Sequence, residues 1–501
     1  VGFDRFQAYL LGQKDGVPKT PSWAASISGM AEADIISLTK AMNNKRTMLT
    51  LSWSLTRQQY GEQPFWAATA LAAILGQMGK PGSGLAFGYT ITNYLGNNVF
   101  KMPYAPLPQG KNSIADFIPV ARVSDMLLNP GQKFDYDGGE YTYPDIDLIY
   151  WAGGNPFHHH QNLARLRKAW EKPSTVIANE WCWNALARHA DIVLPCTTTL
   201  ERQDIGMTPR DPFVISMDKA IEPIGEARND YDIFAGIAHN MDTEDAFTEG
   251  RSAEEWQRWI WEQSRERAAK LNVQMPDYQS FRETGFYKSP ELNEDRIFLL
   301  DFFNDPDTNP LKTPSGKIEL FSDTIDSFNY DNCPGHPTWM EPAEWLGAKD
   351  KTYPLHLISN QPKTKLHSQM DNGALSSSSK IKGHQPLEMN PVDAKARGII
   401  DGDIVKVFNG RGACLCGVNI TNDVMPGVVI ISTGSWYDPV DPADPNSMCK
   451  HGNPNVLSPD IGTSKLAQGP AAHSCLAEIE LYDGPAQNIT AFDPPEIIKK
   501  K

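Results

Sequence analysis

The stretch Asp147–His160, DLIYWAGGNPFHHH, sets the tightest limit on what this chain can become. Its first half, Asp147 to Trp151, is a short apolar run with the width of a buried strand. It then drops into Ala152-Gly153-Gly154-Asn155-Pro156, a cluster that extends neither a helix nor a strand. A buried strand ending in a Gly-Gly-Asn loop suits a nucleotide-binding edge, because missing β-carbons let backbone N–H groups approach a phosphate or ribose. The same residues also describe an ordinary tight turn after a core strand. The residues that follow favour an α/β layout: a helix over Asn162–Trp170, a strand over Ser174–Ala178, a short helical stretch over Asn184–His189 and a strand over Ile192–Pro195. Strands alternating with short helices imply βαβ units and a mostly parallel sheet. The strand 192–195 delivers Glu201, Arg202 and Asp204 just beyond its end.

At 501 residues the chain is too long for one hydrophobic core, so two to four domains are expected. No apolar run approaches the roughly 20 residues needed to span a bilayer. A net charge of −15 argues against nucleic acid as a principal partner. The seven cysteines are dispersed, with no Cys-x-x-Cys, which removes the usual zinc-ribbon and iron–sulfur spacings and gives no disulfide framework. Val1-Gly2-Phe3-Asp4 carries no initiator Met and no charged-then-apolar signal, so the chain reads as beginning inside a longer protein or after processing.

Before residue 147 the expected elements are helices at Phe6–Gly12 and Ala31–Asn43, a turn at Pro18–Pro21, a strand-like run Arg46–Trp53 and a helix Pro64–Met78. That last helix should bury Phe65, Ala68, Leu71, Ala72 and Leu75, and stop at the glycine-rich Gly79–Gly84. Residues 88–145 read as long loops over a site. Helices are expected at Tyr231–His239 and Glu254–Leu271, the latter an amphipathic surface helix. From Thr352 the pattern changes: strands Leu355–Ser359 and Val428–Ser432, a helix Pro391–Gly398, and a hairpin Ile404–Phe408/Ala413–Ile420 on an Asn409-Gly410 type I′ turn. These give a β-rich barrel, with 497–501 as a frayed tail.

Several residues invite a chemical role. Three consecutive histidines, His158–His160, in an extended loop would point in alternating directions and would not converge on one metal ion. One of them donating to a ligand at the Gly153-Gly154-Asn155 loop fits better. Ser359-Asn360-Gln361 and His367-Ser368-Gln369 place uncharged polar groups after a strand, suited to a neutral polar heterocycle or to a plain polar surface loop. Arg57 and Arg202, each after a strand, are either anion clamps or surface ion-pair partners. Asp230 starts a helix, as an N-terminal carboxylate or as an acceptor for a guanine edge; the sequence alone favours the cap. No P-loop, catalytic triad or dinucleotide fingerprint stands out.

Seven stretches, in order, resemble one family over nearly the whole chain. They are LSWSLTRQQYGEQ (51–63), IYWAGGNPFHHHQN (149–162), NEWCWNALARHADIVLPCTTTLERQD (179–204), EARNDYDIF (226–234), LISNQPKTKLHSQ (357–369), NPVDAKARGIIDGDIVKVFNGRG (390–412) and HGNPNVLSPDIGTSKLAQG (451–469). The family is the bacterial molybdopterin-guanine-dinucleotide S-/N-oxide reductases, which includes dimethyl sulfoxide, trimethylamine N-oxide and biotin sulfoxide reductases. The resemblance implies a multi-domain α/β fold with parallel sheets (1–350), a C-terminal double-psi-like β-barrel (351–485) and a tail (486–501).

It also implies a molybdenum bis(molybdopterin guanine dinucleotide) cofactor. Carried over residue by residue, Trp53, Ser54 and Arg57 would lie at the pterin and substrate funnel, with Trp53 and Arg57 nearest the chemistry. Asn155 and His159 would bind one dinucleotide arm, Asn179 and Glu180 a ribose, Arg202 a phosphate and Asp230 the guanine. Ser359, Gln361, His367, Asn455, Gln468 and His473 would contact the pterins; Gln361 departs from the family's usual His. The family's metal ligand, usually a serine oxygen, lies upstream of the matched region, so no metal ligand is assigned and the chain corresponds to roughly the C-terminal two-thirds of such an enzyme.

The implied activity is oxygen-atom transfer from an S-oxide or N-oxide, as in anaerobic respiration, with electrons from a c-type cytochrome or a reduced carrier protein. A periplasmic location is expected, with the cytoplasm as the alternative. Competing expectations are another enzyme with the same cofactor, of nitrate reductase or formate dehydrogenase type, or a cofactor-binding fragment without turnover.

Overall fold

The structure is a computed structural model that describes residues 1–208, 210–292 and 294–498. Helices α1 (Phe3–Leu10), α2 (Pro21–Ser28) and α3 (Glu32–Asn44) open the chain. α2 was not among the expected elements; it begins at Pro21, the last residue of the expected turn. Thr20 is its N-cap, accepting from the Trp23 amide at 3.2 Å, and Pro21 sits at the first helical position, where its missing N–H costs nothing. β1 (Met48–Thr50) is shorter than expected and gives way to a 3₁₀ turn over Trp53–Arg57. α4 (Gln63–Ile74) buries Gln63, Ala70 and Ala72, whereas Leu71 faces outward, contrary to the expected face. The glycine-rich breaker after it contains β2 (Gly84–Ala86), paired parallel with β1.

Residues 88–145 are not loops throughout. They hold α5 (Val123–Leu128) and a hairpin of β3 (Lys133–Tyr136) and β4 (Gly139–Thr142). The expected α/β unit follows: β5 (Leu148–Ala152), a one-turn helix α6 (Pro156–His159), α7 (Leu163–Trp170), β6 (Thr175–Glu180) and β7 (Ile192–Pro195). The three strands form a parallel sheet in the order β5-β6-β7. β8 (Asp204–Met207), β9 (Phe213–Met217) and β10 (Phe286–Lys288) make a separate antiparallel sheet, with α8 (Asp230–Asn240) between the last two in sequence. The long helix Ala253–Ala269 is capped by a reciprocal Ser252/Glu255 box and sends Trp256 and Trp261 inward. Trp261 stacks on Phe281 in a satellite core with Val214, Tyr278 and Tyr287.

The C-terminal part is a closed six-stranded barrel of β11 (Leu355–Ile358), β12 (Pro386–Met389), β13 (Ile404–Asn409), β14 (Gly412–Ile420), β15 (Val428–Ile431) and β16 (Leu476–Leu481). Two of its pairings are parallel, β11 with β15 and β12 with β14, so it is not a simple meander. The β13–β14 hairpin forms, but its turn is Gly410-Arg411, and neither residue has a left-handed φ. The expected type I′ turn is therefore absent. Asn409 stays in the strand because its amide is needed inside, donating to the Leu457 and Leu476 carbonyls at 2.9 Å each.

Parallel sheet and barrel share one continuous core, running from Ile149, Phe157, Leu166 and Val176 to Leu357, Val405 and Val429. Polar contacts stitch the same junction: Asn453 and Asn455 donate to the Phe157 and His158 carbonyls at 3.0 and 2.9 Å. The fold thereby fixes α6 between the sheet and the barrel. No helix among the described residues is long and apolar enough to cross a membrane. Of the expected tail, residues 499–501 lie outside the described residues.

Candidate functional site

The loop after β5 takes the shape its glycines permit. Gly153 and Gly154 have φ of 78° and 76°, a region that L side chains with a β-carbon rarely adopt. A β-carbon on Gly153 would meet nothing within 4 Å, so the backbone is open to close approach by a ligand. Asn155 caps α6, its Oδ1 accepting from the Phe157 amide at 3.0 Å, while its buried Nδ2 has no hydrogen-bond partner. The three histidines are not on an extended loop: His158 and His159 belong to α6 and His160 ends it, because Asn155 and Pro156 start a helical turn. His158 and His160 turn inward and His159 outward. Burial pushes the pKa of both inward rings down to about 3, so each is a neutral imidazole, and each has an unpartnered Nε2. Desolvation first, then the charge of His367 and Arg57, also lowers His159 although the residue as a whole is exposed.

The ends of β6 and β7 build a second group. Asn179 donates to Asp230 Oδ1 at 2.9 Å and accepts from the Tyr150 hydroxyl at 2.8 Å, which fixes the orientation of its amide. Asp230 is the first residue of α8, an N-terminal helix carboxylate as expected, although the N-cap position itself is Asn229; its Oδ1 also accepts from Asn179. Glu180 is 9% exposed, and burial raises its pKa to about 7 against the lowering by hydrogen bonds from Asn184 and the Trp181 backbone. Arg202 donates to the Thr197 carbonyl and to Asp204, each at 3.1 Å, so in this structure it is an ion-pair partner held at the edge of the group.

A third group comes from residues far apart in sequence. Trp53 is 47% exposed and packs obliquely on Phe87, ring centres 5.2 Å apart. Ser54 hydrogen-bonds with Ser52 at 2.7 Å. The Arg57 carbonyl accepts from the His473 amide at 2.8 Å, and the Arg57 charge acts on both the His473 and the His159 rings. Ser359 directly follows β11 at the same barrel end as Gln361, whose side chain meets His367 Nδ1 at 2.6 Å. His367 has φ of 51°, and its carbonyl lies against Gly434, where a β-carbon would fall 1.8 Å away. The His473 ring is pushed to about 4 by desolvation, then by Arg57 and His356, and its Nδ1 is unpartnered.

Two expected contacts are turned to structural use. Asn455 holds the His158 carbonyl, and Gln468 donates to the Asp135 carbonyl at 2.9 Å. The structure therefore brings together Arg57, Asn155, His159, Gln361, His367 and His473 on one side, and Asn179, Glu180 and Asp230 on the other. The sequence reading missed Tyr150, Gly434 and the inward-facing atoms of His158, His160 and Gln161. Only a glycine three residues after a barrel strand hinted at the second of these. Native interiors leave few buried polar atoms unpaired. A concentration of them here, on Asn155, His158, His160, Gln161 and His473, fits a large ligand with many polar edges. Among the described residues no group of His, Cys, Asp or Glu is arranged to hold a metal ion.

Comparison with known proteins gives this geometry a context. Residues 17–240 match the molybdopterin oxidoreductase family model, and residues 355–476 match the molybdopterin dinucleotide-binding domain. The chain is 44% identical over 99% of its length to a dimethyl sulfoxide/trimethylamine N-oxide reductase of Cereibacter sphaeroides, covering 62% of that protein. It is 45% identical over 97% of its length to a biotin sulfoxide reductase of the same organism, covering 65% of it. A trimethylamine-N-oxide reductase of Haemophilus influenzae is 40% identical, with 99% of this chain and 62% of the relative covered. The chain thus spans less than two thirds of these curated relatives. Among solved structures, acetylene hydratase from Pelobacter acetylenicus superposes with a TM-score of 0.53 at 20% identity, over 68% of this chain and 45% of that one, a likeness of fold.

Proposed function

This chain belongs to the molybdopterin oxidoreductases, and from that premise we propose that the protein containing it removes the oxygen atom from S-oxides or N-oxides. The observation that supports this most is that dimethyl sulfoxide/trimethylamine N-oxide and biotin sulfoxide reductases align with nearly all of the chain. The unpaired buried atoms and the open Gly153-Gly154 backbone suit a bis(molybdopterin guanine dinucleotide). When bound, that group supplies the molybdenum that accepts the oxygen atom and the two-electron change.

The chain's own residues bind and orient. The Gly153-Gly154 backbone takes the close approach of a dinucleotide arm, with Asn155 Nδ2 and His159 as donors beside it. Asn179, locked by Tyr150, aims Asp230 at the donor edge of a guanine. Glu180 holds a proton near neutral pH and so can donate its O–H to a ribose hydroxyl as well as accept from one. Arg202 exchanges its contact with Asp204 for a phosphate. Gln361 and His473 present a neutral amide and a neutral ring edge to the pterins, with His367 and Ser359 beside them. Trp53 offers an aromatic wall and Arg57 a cation toward a small polar substrate, which needs hydrogen bonds and apolar walls more than net charge. Electrons come from a c-type cytochrome or another reduced carrier, in the periplasm.

The test uses the full-length protein expressed with molybdate. It should contain about one molybdenum per chain and oxidise a reduced viologen when given dimethyl sulfoxide, trimethylamine N-oxide, methionine sulfoxide or biotin sulfoxide. Turnover of nitrate or formate with none of the four oxides would overturn the substrate class; absence of both metal and pterin would overturn the cofactor.

A further inference from the structure

Behind the loop that carries Gln361 and His367 lies a charged cluster that the proposed reaction does not use. Asp371 is completely buried, and its Oδ1 meets Lys365 Nζ at 2.7 Å and Lys380 Nζ at 2.9 Å. The two lysine side chains are 1% and 5% exposed. Asp371 is satisfied on both oxygens, taking the Ser376 hydroxyl at 3.0 Å and the Trp436 amide at 3.0 Å. Gln385 Oε1 receives Lys380 at 2.8 Å and the Ser435 hydroxyl at 2.7 Å. His451 faces Asp371 Oδ2 at 3.8 Å, and His158 stands in the field of Asp371, Lys365 and His451; both rings are neutral with unpartnered Nε2 atoms. The neighbouring His384 ring gives its Nδ1 to the Lys450 carbonyl and is not a counter-charge.

Two buried cations on one buried carboxylate leave one positive charge over. An uncompensated buried charge destabilises a fold unless something of opposite sign approaches. No second carboxylate faces the lysines among the described residues: Asp438, also buried, is taken by Lys450 at 3.6 Å and by Thr490. The cluster sits under the loop whose outer face offers Gln361 and His367, and His158 is the chain neighbour of His159. We propose that the Lys365–Asp371–Lys380 cluster is a charge-matching device whose surplus cation is compensated by the anionic pterin–nucleotide bound above it. This rests on the cofactor reading given above. The arrangement favours an anionic occupant over a neutral one and makes the empty chain less stable than its packing alone would allow.

The decisive variant is Lys380→Met. It removes the surplus charge and orphans no acceptor, since Asp371 keeps Lys365, Ser376 and Trp436, and Gln385 keeps Ser435. The full chain is made in hosts with and without pterin synthesis, and thermal midpoints are measured beside pterin content from extraction and fluorescence. The expected result is a crossover: the variant melts higher than wild type without cofactor, and gains less from it. Cofactor retention against dilution should weaken on the order of tenfold, the effect of one unit charge across a residue layer at an effective dielectric of about 20. Asp371→Asn should shift both readings the opposite way. Equal gains in wild type and Lys380→Met, with pterin bound in both, overturn the proposal. Absence of pterin and of any gain in wild type overturns the cofactor reading itself, and with it the proposal.

Discussion

Replacing Asp460 by Asn tests how sheet and barrel are held in register at the site. Asp460 Oδ1 meets Arg122 at 3.2 Å and its Oδ2 meets Arg165 at 2.6 Å, while Asp125 takes the same two guanidiniums at 2.9 and 2.6 Å. Two arginines and two aspartates thus close a neutral ring joining α5 and α7 to the loop that follows Asn455. Side-chain exposures of 5% for Arg122 and Asp460, 21% for Asp125 and 28% for Arg165 place it between a buried and a surface network. Asn keeps the shape and one carbonyl acceptor but removes the charge, leaving Asp125 as the one carboxylate of the ring, while Arg122 keeps the backbone carbonyl of residue 460 at 3.4 Å. Breaking a buried pair costs about 3–5 kcal/mol and an exposed one less than about 1. Because each arginine retains one partner and Arg165 is partly solvated, the lower end applies, about 3 kcal/mol. Urea unfolding should report that loss, and amide exchange at Asn162, whose N–H bonds the Ser458 carbonyl at 3.1 Å, should accelerate with it. Combining Asp460→Asn with Arg165→Met should cost less than the sum of the two singles by roughly 1–3 kcal/mol. A loss below about 1 kcal/mol with strict additivity would show the ring to be solvent-screened and refute the reasoning.

Other consequences follow from single contacts. Gly434→Ala would drive a β-carbon into the His367 carbonyl at a position with φ of 94°, so it should destabilise by about 3 kcal/mol or more and displace the Gln361–His367 pair; a crystal structure with that pair unmoved would contradict this. Asn155→Leu loses the cap of α6, worth about 1 kcal/mol, and the free Nδ2, so pterin and molybdenum content should both fall; full loading would refute the placement of Asn155. Glu180 is raised in the fold to about 7 from an ordinary 4.5, so its contribution is fully present below about pH 4.5 and lost as pH rises through 7. That amounts to about 3 kcal/mol at most, and Glu180→Gln should flatten the slope in thermal melts across this window. His158, His160 and His451 act in the opposite sense: each is lowered to about 3, so their contribution holds above pH 6.5 and is lost on acidification, giving a stability maximum near neutrality.

What the sequence disclosed and what it hid divide along the range of the physical cause. β5, β6 and β7 were legible as strands because each is a short, largely apolar run, but only central β6 is mostly buried; Leu148 on β5 and Ile192 on β7 are exposed, so the burial expected of the 147–151 run is confined to Ile149. The Gly153-Gly154 loop was legible for the same local reason, since only glycine takes those φ values cheaply. The turn at Gly410-Arg411 was misread because Asn409 looks like a turn former, yet its amide serves two carbonyls from distant segments. The face of α4 was misread because burial there depends on what packs against it, and periodicity alone cannot say that Leu71 faces outward. Electrostatic features were hidden most completely. Nothing in the local sequence marks Lys365, Asp371 and Lys380 as a buried cluster, or Asp125 and Asp460 as opposite sides of one ring. Their meaning comes from a closed barrel that brings residues 365–380, 435–438 and 451 under one loop. The triple histidine shows both limits together. Its residue types drew the eye, but a single cap by Asn155 decides that two rings turn inward as neutral, unpartnered groups and one turns out. At this site the backbone turn, more than the side-chain chemistry, determines which imidazole is exposed and which are buried.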